Sequence, residues 1–181
     1  AKQSAQSIAC QNNLKQVGMT LELYAADYGG YYPMMWKNSD ATWEIMSEQL
    51  AVYAKNEAFR CPSDHEIRFC SYPPRSYGAN DIFFGVAGAG YPWRRNSDVH
   101  DPSQLIAFAE QWSYYAVMTL NTRLIWDYDL RVYNQHFFTG KTANQDAANY
   151  VLSRDCHFNR QNYIFFDGHV KTMDFYATVM P

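Results

Sequence analysis

Near the end of the chain, His157 is followed by nine residues and then by Asp167-Gly168-His169. Folded back on one another, His157, Asp167 and His169 offer two nitrogen donors and one oxygen donor, a set that suits zinc or a similar ion. The competing reading is geometric: Asp167 and Gly168 form a tight turn, His157 bonds the backbone beside it, and His169 is solvated. Asp127, Asp129 and Asp146 are candidate calcium ligands further upstream. Nucleophilic catalysis has little support, because no Gly-x-Ser-x-Gly elbow occurs. Cys156 and His157, as neighbours on a strand, would point to opposite faces, where the imidazole cannot activate the thiol. Glu44 and Glu48 lie one helical turn apart and read as a solvated helix face. No catalytic residue is assigned, and the chain is not expected to be an enzyme.

The four cysteines, Cys10, Cys61, Cys70 and Cys156, lack the paired C-x-x-C spacing of a structural zinc site. Their even count suits disulfides in an oxidising compartment, against the alternative of buried free thiols in a reducing one. Three pairings are open: Cys61 with Cys70 closes the shortest of the loops, while Cys10 and Cys61 lie in the two most motif-like segments.

Elements must position these groups. Cys10, Leu14, Val17, Leu21, Tyr24 and Tyr28 recur at helical spacing and form one apolar stripe, stopped by Gly29, Gly30 and Pro33. A helix of this length is marginal alone, whereas burial returns about 1.5 to 3 kcal/mol for each large side chain, so later residues must cover the stripe. A second helix is expected from Asp40, as N-cap, through Trp43, Met46, Leu50 and Tyr53 to Lys55. Phe59-Arg60-Cys61-Pro62-Ser63-Asp64 reads as a tethered turn. Leu105 to Glu110 reads as a buried strand. Tyr163–Phe166 and Val170–Phe175 read as a hairpin around Asp167-Gly168-His169. Trp112 to Asp155 reads as a long irregular insert.

The 181 residues fit one domain. Residues 1–30 form the helix, and 31–181 form a globular head of that same domain. With 15 basic and 18 acidic residues, a net charge of −3 and no basic run beyond Arg94-Arg95, nucleic acid is not an expected partner. The 15 Tyr, 11 Phe and 5 Trp favour a substantial sheet with aromatic packing, unless Trp36, Trp93, Trp112 and Trp126 form an exposed row for stacking sugar rings.

Cys10-Gln11-Asn12-Asn13-Leu14-Lys15-Gln16-Val17-Gly18, followed by Tyr24-Ala25-Ala26-Asp27-Tyr28-Gly29-Gly30-Tyr31-Tyr32-Pro33, resembles the post-membrane helix of bacterial prepilin-type proteins of type II secretion and type IV pili. The spacing from His157 to Asp167-Gly168 is similar to the signature of their H-x9-DG, prepilin-processing-associated group. Phe59 to Asp64, Ser76-Tyr77-Gly78-Ala79-Asn80, and Pro102-Ser103 ahead of a strand ending in Glu110 fit the same order.

The resemblance implies an α+β, pilin-like fold: a long N-terminal helix on an antiparallel sheet. It implies a pseudopilin-like structural subunit, periplasmic or at the cell surface, held in the inner membrane by an apolar helix upstream of Ala1. Its partners would be other pilin-like subunits and the secretion machinery. His157, Asp167 and Gly168 would then be structural, with no cofactor required. Related major pseudopilins hold calcium in a C-terminal loop, but no matching run of oxygen ligands is evident here. Two alternatives from other classes are a secreted carbohydrate- or protein-binding module and a small metal-dependent hydrolase using His157, Asp167 and His169.

Overall fold

The computed structural model describes residues 2–34, 36–39, 42–64, 76–84, 93–110, 157 and 160–173. Helix α1 runs Lys2–Asp27, 26 residues. Cys10, Leu14, Val17, Leu21 and Tyr24 form its buried stripe, none more than 2% exposed. Tyr28 departs from the expected stripe. It lies just past the helix, is 45% exposed, and stacks flat on Tyr24 with ring centroids 4.1 Å apart. The chain has already turned there: the Gly30 N–H donates to the Ala25 carbonyl, closing the helix end as the stop signal requires.

The expected second helix is mostly absent. Trp36–Ser39 (β1) and Thr42–Ile45 (β2) pair antiparallel, with Lys37 opposite Glu44 and Trp36 opposite Ile45. Helix α2 covers only Met46–Leu50. Thr42, Trp43 and Ile45 are β-branched or aromatic, and the pairing of two such short segments outweighs a helical period carried by few residues. Met46 and Leu50 are still buried, whereas Glu44 and Glu48 sit on different elements and share no helix face. Asp40, the expected cap, lies outside the described residues, as do Cys70, Cys156 and the Trp112 to Asp155 insert.

Four strands form the main sheet: β3 (Tyr77–Ala79), β4 (Ile106–Glu110), β5 (Gln161–Phe165) and β6 (Val170–Met173), in that spatial order and all antiparallel. The chain is therefore α+β, with α1 laid across the sheet and packed mainly on β5. Close approach explains Gly18: a Cβ there would stand 2.3 Å from Ile164 Cδ1 on β5.

Strand β4 breaks the simple alternation of faces. Its register to β5 shifts between Ile106 and Phe108, a bulge that turns Phe108 toward α1 while Ile106 and Ala109 face the other side with Tyr163 and Phe165. Asn80 fastens the bulge. Its backbone N–H donates to the Ala107 carbonyl, its Nδ2 donates to the Ile106 carbonyl, and its Oδ1 accepts the Phe83 N–H at the start of α3 (Asp81–Phe84).

The Asp-Gly hairpin is present as expected. Gly168, at φ 83°, takes the left-handed position after Phe166 and Asp167, and its N–H donates to the Phe165 carbonyl. The turn is also docked: Phe166 N–H donates to the Leu105 carbonyl and Asp167 N–H to the Pro102 carbonyl.

Candidate buried site at the helix-sheet junction

Helix α1 delivers Cys10 to the sheet, where it forms a disulfide with Cys61; both are fully buried. Of the pairings left open by sequence, this one ties the helix to the turn after the 3-10 segment Asn56–Phe59. That turn is itself latched. Asp64 N–H donates to the Cys61 carbonyl, the Ser76 hydroxyl donates to Asp64 Oδ2 at 2.5 Å, and Ser76 N–H donates to the Phe59 carbonyl. Asn13 reaches over from α1, its Nδ2 donating to the Arg60 carbonyl.

Beside the disulfide sit His157 and Glu110. His157 Nε2 is 2.9 Å from Glu110 Oε1 and 3.4 Å from Cys61 Sγ. Glu110 ends β4 and is wholly buried, while His157 is 7% exposed. A buried carboxylate is costly unless its oxygens are bonded, and here both are. Oε2 accepts the Asn162 backbone N–H at 2.8 Å, and Oε1 also accepts Asn162 Nδ2 at 3.2 Å. Asn162 Oδ1 in turn accepts the Thr172 hydroxyl, and Thr172 Oγ1 accepts Gln11 Nε2 from α1 at 2.8 Å. A polar chain thus runs from disulfide to imidazole, carboxylate, β5, β6 and back to the helix.

The three expected metal ligands are not brought together. Asp167 and His169 do pair, with Nδ1 2.6 Å from Oδ1, on the exposed turn, where the His169 ring also stacks on Phe165 at 4.2 Å. His157 lies apart from them, in contact with Glu110 and Cys61. It is also not a strand residue: it sits in a tight turn at φ 40°. Among the described residues the one convergence of three or more potential metal ligands is Cys10, Cys61, Glu110 and His157, whose donor atoms lie within 4.8 Å of one another.

Glu110 is the residue that sequence reading undervalued. It closed the expected strand, and its acidity at the end of an otherwise apolar run was the available signal. Asp127, Asp129, Asp146, Trp112 and Trp126 lie outside the described residues. Trp93 is 42% exposed and rests on Tyr31, with its indole N–H donating to the Tyr32 carbonyl.

Away from the buried stripe, α1 exposes three large apolar side chains. Ile8, Met19 and Leu23 are 57%, 58% and 51% exposed. At about 100° per residue they fall within a narrow arc roughly 180° from the Cys10–Tyr24 stripe. Met19 and Leu23 also border a groove of about 1120 Å³, closed on its other side by Tyr53, Lys55 and Glu57 and reaching in to Cys61. Among the described residues no helix is long and apolar enough to cross a membrane. No family model, curated protein or solved structure matches the chain.

Proposed function

We propose that the protein is a structural subunit of a pilin-like assembly, of the pseudopilin type, and that it carries no catalytic task. The observation that bears most weight is the two-sided helix. One apolar stripe of α1 is consumed by its own head, whereas Ile8, Met19 and Leu23 stand on the far side, exposed to water. Apolar side chains left exposed along the outer side of a helix offer a contact surface to neighbouring rods. A rod that binds its head on one side and its neighbours on the other is what lateral packing of helices in a filament requires.

A second support is the way the site spends its chemistry. The segments that resemble prepilin-type proteins, Cys10–Gly18, Phe59–Asp64, Ser76–Asn80, Pro102–Glu110 and His157 with Asp167-Gly168, are joined to one another by the disulfide, the latch and the bonds described above. Their polar groups are directed at each other and fix a helix on a sheet. In the cell the subunit would face the periplasm or the exterior, anchored in the inner membrane by a helix upstream of Ala1, and would meet other pilin-like subunits and secretion machinery rather than nucleic acid.

Photo-crosslinking from position 19 or 23 in the native host tests this. A ladder of chain multiples is expected from these positions and none from an amber codon at exposed Val52, on the head. No ladder from the helix, or a start codon in the gene immediately before Ala1 in place of an apolar run of about 20 residues, would overturn the proposal.

A further inference from the structure

The two sulfurs, an imidazole nitrogen and a carboxylate oxygen that meet at the helix-sheet junction are the donor set of a four-coordinate zinc site. We infer that Cys10, Cys61, Glu110 and His157 bind one zinc ion when the disulfide is reduced, so that the helix is tied to the head by a covalent bond in one redox state and by a metal in the other. The inference is independent of the assembly role proposed above.

Several observations on the site converge. Tetrahedral zinc with bonds of about 2.0 to 2.3 Å places its ligand atoms about 3.3 to 3.8 Å from one another. Cys61 Sγ and His157 Nε2 already stand 3.4 Å apart, and all four donor atoms fall within 4.8 Å. Reduction frees the sulfurs to separate, and the His157–Glu110 contact of 2.9 Å needs to open by only a few tenths of an ångström. Every ligand is buried, and two thiolates with one imidazole and one carboxylate complete the shell. No position is left for water or substrate, so the site is structural, not hydrolytic.

The surroundings supply the outer support that metal ligands need. Glu110 Oε2 keeps its bond from the Asn162 backbone N–H while Oε1 turns to the ion, and Asn162 is itself braced by Thr172 and Gln11. Ser63 N–H donates to Cys61 Sγ at 3.4 Å, a bond that stabilises thiolate charge. Of the four ligands, Cys61 also lines the groove beside α1, the side from which an ion would approach.

The chemistry balances with a water-soluble phosphine as reductant. The phosphine attacks one sulfur, the S–S bond breaks, and water converts the phosphonium to phosphine oxide, leaving two thiols. The phosphine loses the two electrons that the disulfide gains. Zinc then displaces both thiol protons to solvent, and His157 binds through Nε2 with its ring proton on Nδ1.

The test is native mass spectrometry of the purified protein, oxidised and phosphine-reduced, with zinc or with chelator, followed by iodoacetamide footprinting. Reduced protein should gain one zinc and lose two protons per chain, and oxidised protein should gain none. Zinc should protect Cys10 and Cys61 from alkylation relative to chelator. His157→Ala should weaken zinc binding by more than about 100-fold, while His169→Ala on the exposed turn should leave it unchanged. If reduction alone unfolds the chain, zinc should restore its circular dichroism. The inference fails if reduced protein takes up no zinc, if zinc protects only Cys70 and Cys156, if His157→Ala binds as tightly as the parent, or if zinc leaves an unfolded reduced chain unfolded.

Discussion

The two ends of α1 are held to the head by different physics. Around Cys10 the grip is covalent and directional: a disulfide, the buried Glu110–His157 contact, and the Asn162–Thr172–Gln11 chain. Around Tyr24 it is mostly aromatic area: Tyr24 against Tyr28 and Tyr53, and Tyr32 just beyond the helix against Phe83, Phe84 and Phe166, with the Tyr32 and Tyr53 hydroxyls donating to Glu22 and Asp27 of the helix. Ring packing tolerates small slides and substitutions of similar volume. A bond between named atoms does not. The first end therefore fixes the register of helix on sheet through its covalent bond, and the second adds apolar burial with phenol hydrogen bonds at its margin.

Removing the disulfide should show the largest effect. Cys10 and Cys61 are 51 residues apart, and the unfolded-state entropy of a loop that size corresponds to about 4 kcal/mol. Cys10→Ala with Cys61→Ala, unfolded in urea with chelator present, should lose roughly that much. Tyr24→Leu at the other end should lose less, about 1 to 3 kcal/mol. Equal losses would mean that the two ends do not differ in kind.

Glu110 comes next. Glu110→Ala strands the Asn162 N–H and takes the carboxylate from His157 in a dry interior, and should cost about 3 kcal/mol. Glu110→Gln keeps an acceptor for the Asn162 N–H and should cost less, about 1 to 2 kcal/mol. Chemical denaturation reads both, and the gap between the two variants measures how far the site depends on hydrogen bonding rather than on volume.

The same contrast governs what could be read from sequence. The buried stripe from Cys10 to Tyr24, the Leu105–Glu110 strand and the Asp-Gly hairpin were legible because each is a local period or turn rule carried by adjacent residues. The helix expected over Asp40 to Lys55 shrinks to Met46–Leu50 because only a few apolar positions set its period, and strand pairing with Trp36–Ser39 takes Thr42–Ile45. The site was legible only in pieces. His157 stands out in the sequence, yet its spacing groups it with Asp167 and His169. The structure places it against Glu110, 47 residues away, and a contact between a turn residue and the end of a distant strand leaves no periodic trace. Gly18 was visible within its motif, but its reason, the 2.3 Å that a Cβ would leave to Ile164, belongs to the packed state alone.

Gly18 sits between the two ends and sharpens the comparison. In an exposed helix Gly→Ala stabilises by about 1 kcal/mol. Here the added methyl must displace Ile164, which is fully buried, so overpacking of about 1 to 3 kcal/mol should outweigh the gain. Gly18→Ala is expected to be net destabilising by thermal unfolding, and pairing it with Ile164→Val should recover part of the loss. A stabilised Gly18→Ala would show that β5 yields easily and that the helix seat is looser than the Cys10 end implies.

The smallest effect belongs to the aromatic end and depends on pH. Burial first, and then the Glu22 carboxylate whose Oε1 accepts its hydroxyl, raise the ionisation of Tyr32 well above the ordinary tyrosine range. The folded state thus favours the neutral phenol, while an unfolded chain ionises near pH 10. The stabilisation is therefore whole below about pH 10 and is lost as pH rises from there toward the folded-state value, because ionisation draws the unfolded state down. Tyr53, pushed up to about 12 chiefly by its hydrogen bond to Asp27, adds a weaker contribution of the same sign because its hydroxyl is in contact with water. Urea midpoints between about pH 9 and pH 11 should fall in the parent by the equivalent of roughly 1 kcal/mol, and fall less steeply in Tyr32→Phe. A slope unchanged by that substitution would place the alkaline sensitivity elsewhere, and would leave the aromatic end holding the helix by area alone.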